Sequence, residues 1–353
     1  MHINFVLPEI SMTAVVGGYR VHYEYVNRLA RRGHAVTLSH LVRVNGPVRG
    51  SSIRKTMAEG VGDRISWFDF DPRVEVTILP NGRFLKPADV LVLTSWQTAE
   101  FYGQRTDAAW VRAQVAYDYE FWATADASTR AAMARAFRKP ELVVSTSRVV
   151  ESMLRECGVR PAARIACGFD QETFRLRADD APRDGTVGIL LRDHESKRVD
   201  DAIAALAQLR NQRPGLRVLA GGQWSKSTPA WIERVDTTSD AALARFYNAV
   251  GIFVLASRHE GWGLPAMEAL ACGCAVISSR NGGVEDFLED GVNALLFTPM
   301  NVEELAERIA RLLDDAPLRA ALAGRGPRTA ASFTWDRAVE QLERLLLERL
   351  ERT

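Results

Sequence analysis

A chain of 353 residues with a net charge of +1 is too long for one ordinary core and suits two domains of about 150–200 residues. Its 47% hydrophobic and 25% charged residues are typical of a soluble globular protein, and no apolar run of roughly 18 residues predicts a membrane span. The N-terminus, MHINFVLPEIS, has no basic leader, so no signal peptide is expected and the chain is predicted to be cytoplasmic.

Charge is unevenly distributed along the chain. Residues 1–170 contain 22 basic and 17 acidic side chains, whereas the remainder contains 23 basic and 27 acidic ones. The basic first half favours peripheral contact with an anionic membrane surface, at its inner face, while ordinary surface scatter explains it equally well. No dense basic stripe with interleaved aromatics occurs, so nucleic acid is not an expected partner.

The four cysteines fit neither a zinc site nor a secreted disulfide framework. They are Cys157, Cys167, Cys272 and Cys274. We expect them to be reduced, buried, small side chains, and we predict no metal site from them.

Short apolar runs alternate with longer helical stretches in the first half of the chain. The pattern predicts a helix over 18–33 and strands at 3–8, 35–42, 74–79, 89–94, 113–117 and 142–146. Strands that alternate with helices predict βαβ units and a parallel sheet. Residues 44–72 fit neither period, and two interpretations stay open for them: a mobile functional loop or a helix-containing insertion.

The same alternation restarts after a polar segment, 169–185, that is interpreted as a linker. Predicted strands lie at 186–191, 216–222, 252–257 and 275–279, and predicted helices at 199–213, 240–249 and 265–273. The tail FTWDRAVEQLERLLLERLERT predicts an amphipathic packing helix. The chain is therefore predicted to contain two doubly wound, Rossmann-like α/β domains.

Gly17 and Gly18 stand between the first predicted strand and the first predicted helix. Glycines there let the backbone bend tightly and expose amide N–H groups at a helix N-terminus, which favour anions. A purely structural role is the alternative, and no GxGxxG dinucleotide fingerprint is present.

Arg192 and Lys197 follow the first predicted strand of the second half, in LLRDHESKR. Two cations at the carboxyl edge of a parallel strand can clamp a diphosphate in the crevice of an open α/β sheet. A charged, solvated loop is the alternative for this segment by itself.

The stretch EGWGLPAMEAL contains two carboxylates, Glu260 and Glu268, around a glycine-containing loop. Pro265 is a natural first residue of a helix, which predicts Glu268 in the first helical turn. Amides near Gly263 and Leu264 can then bind a phosphate, while the two acids accept hydrogen bonds from sugar hydroxyls. The alternative is a loop acid and a helix-cap acid that are both solvated.

Two further regions are predicted beside the same ligand. NGGVEDFLEDG (281–291) predicts another Gly-Gly turn before a helix, close to a phosphate. A nucleotide base is expected near VLAGG and RVDTTSD, which makes Gly221 and Asp236 candidate donor-binding residues.

These segments together resemble the retaining glycosyltransferases of family 4. SRHEGWGLPAMEALACGCAVISS resembles the family's E-x7-E block, and LLRDHESKR resembles its strand-Arg-x4-Lys donor-phosphate motif. CGFDQETF, with Gly168, Asp170 and Phe174, resembles the interdomain segment, and FTWDRAVEQL resembles the C-terminal helix that crosses back to the first domain. The Gly17–Gly18 pair resembles the N-terminal Gly-Gly loop, so the resemblance covers nearly the whole chain.

The resemblance implies the GT-B fold, in which two Rossmann-like parallel-sheet domains face a cleft that holds the active site. Residues 1–172, together with the helix 335–353, would bind the acceptor. Residues 173–334 would bind a nucleotide-sugar donor.

The same resemblance implies roles for the charged residues of the second domain. Arg192 and Lys197 would stabilise the leaving diphosphate, Glu260 would contact the donor sugar, and Glu268 would hold the ribose hydroxyls. Preorganised cations and amides stabilise the negative charge that develops on the phosphate as the sugar bond breaks. No metal and no other cofactor is then expected.

The chain departs from the family pattern at two places. Arg198 follows the motif lysine where glycine is usual, and it either adds charge or caps the loop. The family often has a first-domain histidine near the sugar, but no histidine lies between His40 and His194.

TSWQTAEF and AYDYEFW stand in its place and resemble a subgroup that includes rhamnosyltransferases of surface polysaccharide synthesis. Asp118 and Trp96 are therefore the first-domain candidates, with Asp118 as a candidate base and with Trp96, Tyr119 and Glu120 on the acceptor side. A capping aspartate and a core tryptophan are the structural alternatives. By this subgroup the donor would be dTDP-rhamnose.

The predicted function is metal-independent retaining transfer of a sugar from a nucleotide diphosphate to a saccharide or lipid-linked glycan. A GT-B sugar-nucleotide epimerase is one alternative, although it needs an acid/base pair near the sugar. The other alternative is a non-catalytic nucleotide-binding module. The intact residues Arg192, Lys197, Glu260 and Glu268 favour the transferase.

Overall fold

Parallel sheets dominate both halves of the chain, as the alternation of strands and helices predicts. The computed structural model describes residues 1–9, 17–45, 65, 67–177 and 185–353. The chain forms two compact units, Met1–Gly168 with Trp335–Thr353, and Phe169–Thr334. Our sequence boundary lies after residue 172, whereas the first unit ends at Gly168.

The first unit contains a parallel sheet with a helix after most strands. Its strands are β1 (His2–Glu9), β2 (Ala35–Leu41), β3 (Val74–Leu79), β4 (Ala88–Leu93), β5 (Ala109–Ala116), β6 (Leu142–Ser145) and β7 (Ala163–Arg164). Its helices are α1 (Gly17–Arg31), α2 (Trp96–Tyr102), α3 (Tyr119–Thr124), α4 (Ala127–Phe137) and α5 (Arg148–Glu156). Among the described residues the strand order is β3-β2-β1-β4-β5-β6-β7, and every neighbouring pair is parallel.

The second unit repeats this plan with its own sheet and core. Its strands are β8 (Val187–Leu191), β9 (Val218–Gly222), β10 (Ile232–Arg234), β11 (Ile252–Leu255), β12 (Ala275–Ser279) and β13 (Ala294–Phe297). Its helices are α6 (Val199–Gln212), α7 (Asp240–Ala249), α8 (Leu264–Ala271), α9 (Val302–Asp314) and α10 (Ala316–Ala330). The described strands are all parallel in the order β10-β9-β8-β11-β12-β13, so β8 and β11 lie at the centre, where the strand order reverses.

The predicted return of the C-terminal helix to the first unit is confirmed. This helix, α11 (Trp335–Leu350), belongs to the first unit and packs against α1. Glu343 accepts hydrogen bonds from Arg32 at 2.8 Å and from the His34 ring at 2.6 Å, and Trp335 meets the Tyr25 ring at 6.1 Å. Its leucine face is buried, so the helix packs as expected.

The segment interpreted as a linker is partly a folded piece of the second unit. Phe169 and Phe174 are buried, and the Asp170 carboxylate accepts the backbone N–H of Glu172. Its residues 178–184 lie outside the described residues. The polar composition of 169–185 therefore did not indicate that two of its aromatic side chains are buried.

Most of the unassigned stretch 44–72 lies outside the described residues, but its last part is visible. Trp67, Phe68 and Phe70 surround the ring of Tyr23 on α1, at centroid distances of 5.3, 5.1 and 4.9 Å. Such aromatic packing fixes the point at which the chain enters β3.

The prediction that the four cysteines are buried is confirmed. All four cysteines are buried and none is paired in a disulfide. Burial raises the pKa of the Cys157 thiol to about 11 and that of Cys167 to about 12, so both stay protonated at neutral pH. Within the described residues, no helix is long and apolar enough to cross a bilayer.

Candidate functional site

Three loops of the second unit meet at the carboxyl ends of β8, β11 and β12. The backbone N–H of Arg258, after β11, donates to the carbonyl of Ser196, in the loop after β8, at 2.6 Å. The N–H of Glu260 donates to the carbonyl of Asn281, after β12, at 3.1 Å. These bonds join residues far apart in sequence because parallel strands end at the same edge of a sheet.

The convergence brings Lys197 and Glu260 into contact. The Lys197 Nζ donates to Glu260 Oε1 at 3.1 Å, and the two side chains are only 23% and 12% exposed. Exposed ion pairs contribute little because water screens them, whereas this pair is largely shielded from water. The structure thus places two predicted site residues together, in a sheltered position at the centre of the sheet edge.

Arg198, the residue that replaces the usual glycine, has a left-handed backbone with φ 48°. Glycine is common at such a position because a Cβ atom there is sterically costly. The Arg198 guanidinium makes a two-pronged ion pair with Asp201, at 2.8 Å for both contacts, and this pair raises the pKa of Arg198. Arg198 takes the N-cap position of α6 without a side-chain cap hydrogen bond, and its charge is paired with Asp201 in the first helical turn.

The prediction that Glu268 lies in the first turn of its helix is wrong. Helix α8 begins at Leu264, one residue before Pro265, so Glu268 falls in its second turn. Glu268 is 5% exposed, which also excludes the interpretation of it as a solvated cap acid. Gly263 takes the N-cap position with φ 99° and offers no side-chain acceptor to the first helical amides, as an anion site requires.

Glu268 is held by a residue that our sequence reasoning missed. The hydroxyl of Tyr247, on α7, donates to Glu268 Oε2 at 3.1 Å, and Tyr247 is wholly buried. Arg192 lies near enough to act electrostatically on Tyr247. The sequence signal for Tyr247 is a tyrosine on the apolar face of a predicted helix, because a buried phenol needs a hydrogen-bond partner.

The Gly-Gly turn at 281–291 does not have the predicted form. A single 3-10 turn, Val284–Asp286, follows it instead of a helix, and the N–H of Gly282 already donates to the Glu285 carboxylate at 2.8 Å. A Cβ at Gly283 would stand 2.6 Å from the backbone nitrogen of Trp262. The turn therefore packs against the Glu260–Trp262 backbone, and its place beside a phosphate stays a prediction.

Gly263 gives a direct test of how closely this loop is packed. Its Cβ would stand 2.6 Å from Val284 Cγ1 in a left-handed conformation, so we expect Gly263→Ala to destabilise the fold by about 2–4 kcal/mol. Gly291→Ala is the matched control, since Gly291 has φ 73° but open space around it, and about 1–2 kcal/mol is expected. Urea unfolding measures both; equal losses would contradict the packing argument.

Gly221 and Asp236, the two candidates for the nucleotide-base region, have different surroundings in the structure. A Cβ at Gly221 would stand 2.4 Å from Thr237 Cγ2, so this glycine lets the loop after β10 pack on β9. The Asp236 Oδ1 accepts both the backbone N–H and the hydroxyl of Thr238, at 2.9 and 2.7 Å, which lowers the Asp236 pKa. Asp236 thus shapes its own turn, and its role toward a ligand stays a prediction.

In the first unit, Gly17 and Gly18 begin α1 at the carboxyl edge of β1. A Cβ at Gly18 would stand 2.8 Å from Cε2 of Tyr117, whose ring lies 5.2 Å from that of His22. The small residue therefore allows Tyr117 to cover the start of the helix. Burial lowers the pKa of His22 to about 3, so this histidine stays neutral.

Asp118 lies two residues after the end of β5 and occupies the N-cap position of α3 without making a side-chain cap bond. Burial raises its pKa to about 7, against the opposing effect of the backbone N–H of Trp96. Its Oδ2 is buried and finds no partner among the described residues. The capping alternative therefore fails for Asp118, and a carboxyl that titrates near neutral pH is a candidate acid or base.

The remaining acceptor-side candidates lie beside Asp118. Trp96 begins α2 and stacks on Phe121 at 6.0 Å, half-buried between two apolar clusters, which agrees with the core-tryptophan alternative. Tyr119 and Glu120 form the first turn of α3 and are both half-buried. Trp96, Asp118, Tyr119 and Glu120 are thus gathered at the carboxyl ends of β4 and β5. Across the described ranges, no group of three or more His, Cys, Asp or Glu side chains could hold a metal ion.

Comparisons with known proteins find a family match in the second unit. Residues 173–329 match the family model described as Glycosyl transferases group 1. A D-inositol 3-phosphate glycosyltransferase of Nocardiopsis dassonvillei is 31% identical over 184 residues, which are 52% of this chain and 42% of that protein. An MMP alpha-(1->4)-mannosyltransferase of Mycolicibacterium hassiacum is 28% identical over 216 residues, 57% of this chain and 52% of that protein. The chain spans about half the length of the curated relatives it matches.

Solved structures resemble the chain over its whole length. Sucrose-phosphate synthase from Thermosynechococcus elongatus has a TM-score of 0.79 at 18% identity and covers 100% of both chains. Anabaena Alr3699/HepE, solved in complex with UDP and glucose, has a TM-score of 0.77 at 15% identity and covers 99% of this chain and 100% of its own. The chain therefore has the GT-B fold, and its match to the Glycosyl transferases group 1 model lies within the second unit.

Proposed function

We propose that this chain is a retaining glycosyltransferase that moves a sugar from a nucleotide diphosphate to a saccharide or lipid-linked glycan acceptor. The observation that carries the proposal is the sheltered Lys197–Glu260 pair, 3.1 Å apart, at the central edge of the second sheet. The group 1 match over residues 173–329 and the UDP and glucose bound to Alr3699/HepE support a nucleotide-sugar donor.

Each residue of the second unit has a role in the proposed reaction. Lys197 and Arg192 stabilise the charge that develops on the leaving diphosphate, and the amides near Gly263 and Leu264 bind its phosphates. Glu260 accepts hydrogen bonds from the donor sugar, and Glu268 from the pentose hydroxyls.

In the proposed step, the bond between the anomeric carbon and the diphosphate oxygen breaks while an acceptor hydroxyl oxygen bonds to the same face of the sugar. The acceptor proton passes to the departing phosphate or to Asp118, which lies with Trp96, Tyr119 and Glu120 in the first unit. Lysine and arginine carry the charge stabilisation in this scheme, so we propose that turnover needs no metal and survives chelation by EDTA.

The resemblance of TSWQTAEF and AYDYEFW to rhamnosyltransferases supports dTDP-rhamnose as the proposed donor. Gly17, Gly18, Gly221 and Asp236 stay proposed donor-binding positions, supported by their place at carboxyl ends of strands. The net charge of +5 over residues 1–170 supports peripheral contact with an anionic membrane surface.

Thermal unfolding with dTDP, UDP, GDP and ADP tests the donor. A nucleotide at about 100 times its dissociation constant should stabilise the fold by about 2.7 kcal/mol, which raises Tm by a few degrees. A shift with one nucleotide identifies the donor class. No shift with any of them would favour a non-catalytic module.

Turnover of the matching nucleotide sugar then separates transferase from epimerase. Transfer to a saccharide with the anomeric configuration of the donor, read by NMR of the product, is the expected result. Inversion of a sugar centre on the nucleotide itself would contradict the proposal in favour of the epimerase.

A further inference from the structure

The hydrogen bond from Tyr247 to Glu268 stands out among the contacts of the second unit. It joins a wholly buried phenol on α7 to a carboxylate that is 5% exposed on α8, at 3.1 Å. A hydrogen bond to an ionised group is about twice as strong as one between neutral groups, and its loss leaves a buried charge less well solvated. The two residues are therefore coupled in orientation.

The Tyr247 ring has little freedom to move. Aromatic rings surround it at centroid distances of 5.2 Å for Phe253, 5.4 Å for Phe246 and 6.1 Å for Phe174. Close aromatic packing on several sides holds the phenol oxygen in one place. A hydroxyl at a fixed position sets the rotation of the Glu268 side chain, which accepts its hydrogen bond.

The position of the pair relates it to the proposed donor site. Glu268 lies in the second turn of α8, whose capping glycine follows the Glu260 loop, and Arg192 follows β8 at the same sheet edge. Burial, foremost, and the nearby Glu268 raise the pKa of Tyr247 well above its ordinary value, so its hydroxyl remains a proton donor at every working pH.

We infer that Tyr247 is a positioning residue that orients the Glu268 carboxylate toward the pentose hydroxyls of a nucleoside diphosphate, so that binding depends on those hydroxyls. The inference rests on the proposed nucleotide-sugar donor. A carboxylate accepts hydrogen bonds on both oxygens, so a phenol bound at Oε2 does not by itself saturate it. A pentose hydroxyl, single or one of a vicinal pair, can only donate a hydrogen bond to this carboxylate. The orientation of the Glu268 carboxylate therefore decides the affinity for the nucleotide.

Calorimetric titration of ligand pairs tests the inference. The pairs are dTDP against 3′-deoxy-dTDP, and UDP against 2′,3′-dideoxy-UDP. The wild-type chain should bind the hydroxyl-bearing member of one pair about 10–100-fold tighter. Tyr247→Phe should lower this ratio about tenfold by weakening the hydroxyl-bearing ligand, with the affinity for the deoxy ligand unchanged.

Two controls separate positioning from loosened packing. Phe246→Leu is the matched variant, because Phe246 is buried on the same helix and contacts the Tyr247 ring but carries no hydroxyl. It should lower Tm and leave the ratio unchanged. In a Glu268→Gln background, Tyr247→Phe should cause no further fall in the ratio, since its effect passes through Glu268.

Every outcome bears on the inference. Equal ratios for the wild type and Tyr247→Phe overturn it. Should Tyr247→Phe fail to fold, Glu268→Gln decides, because an unchanged ratio in that variant removes Glu268 from the pentose. A wild type that binds no nucleotide contradicts the proposed function and the inference together, whereas binding without any hydroxyl preference contradicts the inference alone.

Discussion

Replacing Lys197 by alanine should lower kcat by about 10²–10³-fold, because the side chain supplies positive charge where the leaving diphosphate becomes more negative. Such a loss corresponds to about 2.7–4 kcal/mol of transition-state stabilisation. The same change leaves the Glu260 carboxylate, 12% exposed, without its lysine. We expect that to cost only about 1–2 kcal/mol of folding stability, since the pair is half-buried rather than fully buried.

Comparing the loss of kcat with the loss of folding stability shows whether Lys197 is catalytic or structural. Lys86→Ala is the matched control, because Lys86 also pairs with a glutamate, Glu75, but is 60% exposed in the other unit. It should change neither turnover nor stability measurably. Steady-state kinetics and urea unfolding at one temperature provide the data. Turnover that falls only in proportion to the unfolded fraction would make Lys197 structural.

Asp118→Asn should stabilise the fold at about pH 8 and have no such effect near pH 4. Burial raises the folded-state pKa of Asp118 from 3.8 to about 7, so the folded chain binds this proton more tightly than the unfolded chain does. Stability from Asp118 is therefore fully present below pH 3.8 and is lost as the pH rises through about 7. A full shift of this size is worth about 4 kcal/mol, and partial exposure reduces the expected gain to about 2–3 kcal/mol.

Asp126 provides a control of the opposite sign. Its carboxylate caps α4 by accepting the Thr129 N–H at 2.7 Å, and this bond lowers its pKa. Its contribution is thus present at neutral pH and lost in acid. Urea unfolding of Asp118→Asn and Asp126→Asn across the pH range measures both. A stability difference for Asp118→Asn that does not change with pH would contradict the buried, titrating carboxyl.

Kinetics of Asp118→Asn test whether this buried carboxyl takes part in the reaction. An ionisable group held at a cost to folding is typical of functional sites. If Asp118 takes the acceptor proton, the wild-type rate should rise with pH through about 7, and Asp118→Asn should be slower and lack this rise. An active variant with the wild-type pH profile would remove Asp118 from the catalytic residues.

The hydrophobic period alone determines most elements of both sheets. It predicts 240–249 as a helix and 275–279 as a strand, and the structure has Asp240–Ala249 and Ala275–Ser279. It missed β7, β10 and β13, which have two, three and four residues. The two and three residues of β7 and β10 contain too few alternations to distinguish them from loops, whereas β13 is as long as β6 and β11, which the period does predict.

Residue spacing alone also determines which side chains are candidates for chemistry. Arg192, Lys197, Glu260 and Glu268 all follow strands, and parallel strands bring their carboxyl ends to one edge. That rule predicts that these side chains lie near one another, but it does not predict which of them are in contact. The Lys197–Glu260 bond depends on a backbone bond from Arg258 to Ser196 between two loops, which leaves no trace in either side-chain pattern.

Only the tertiary structure decided the environment of each candidate. It showed that Asp118 is held near neutral pKa by burial, that Asp236 is engaged by Thr238, and that Tyr247 holds Glu268. Burial and hydrogen bonding depend on residues distant in the chain, and these set the protonation and orientation of a side chain. The sequence by itself determines two parallel-sheet domains and a list of charged residues at strand ends. Packing between segments determines which of those charged side chains are paired or buried and how they are oriented.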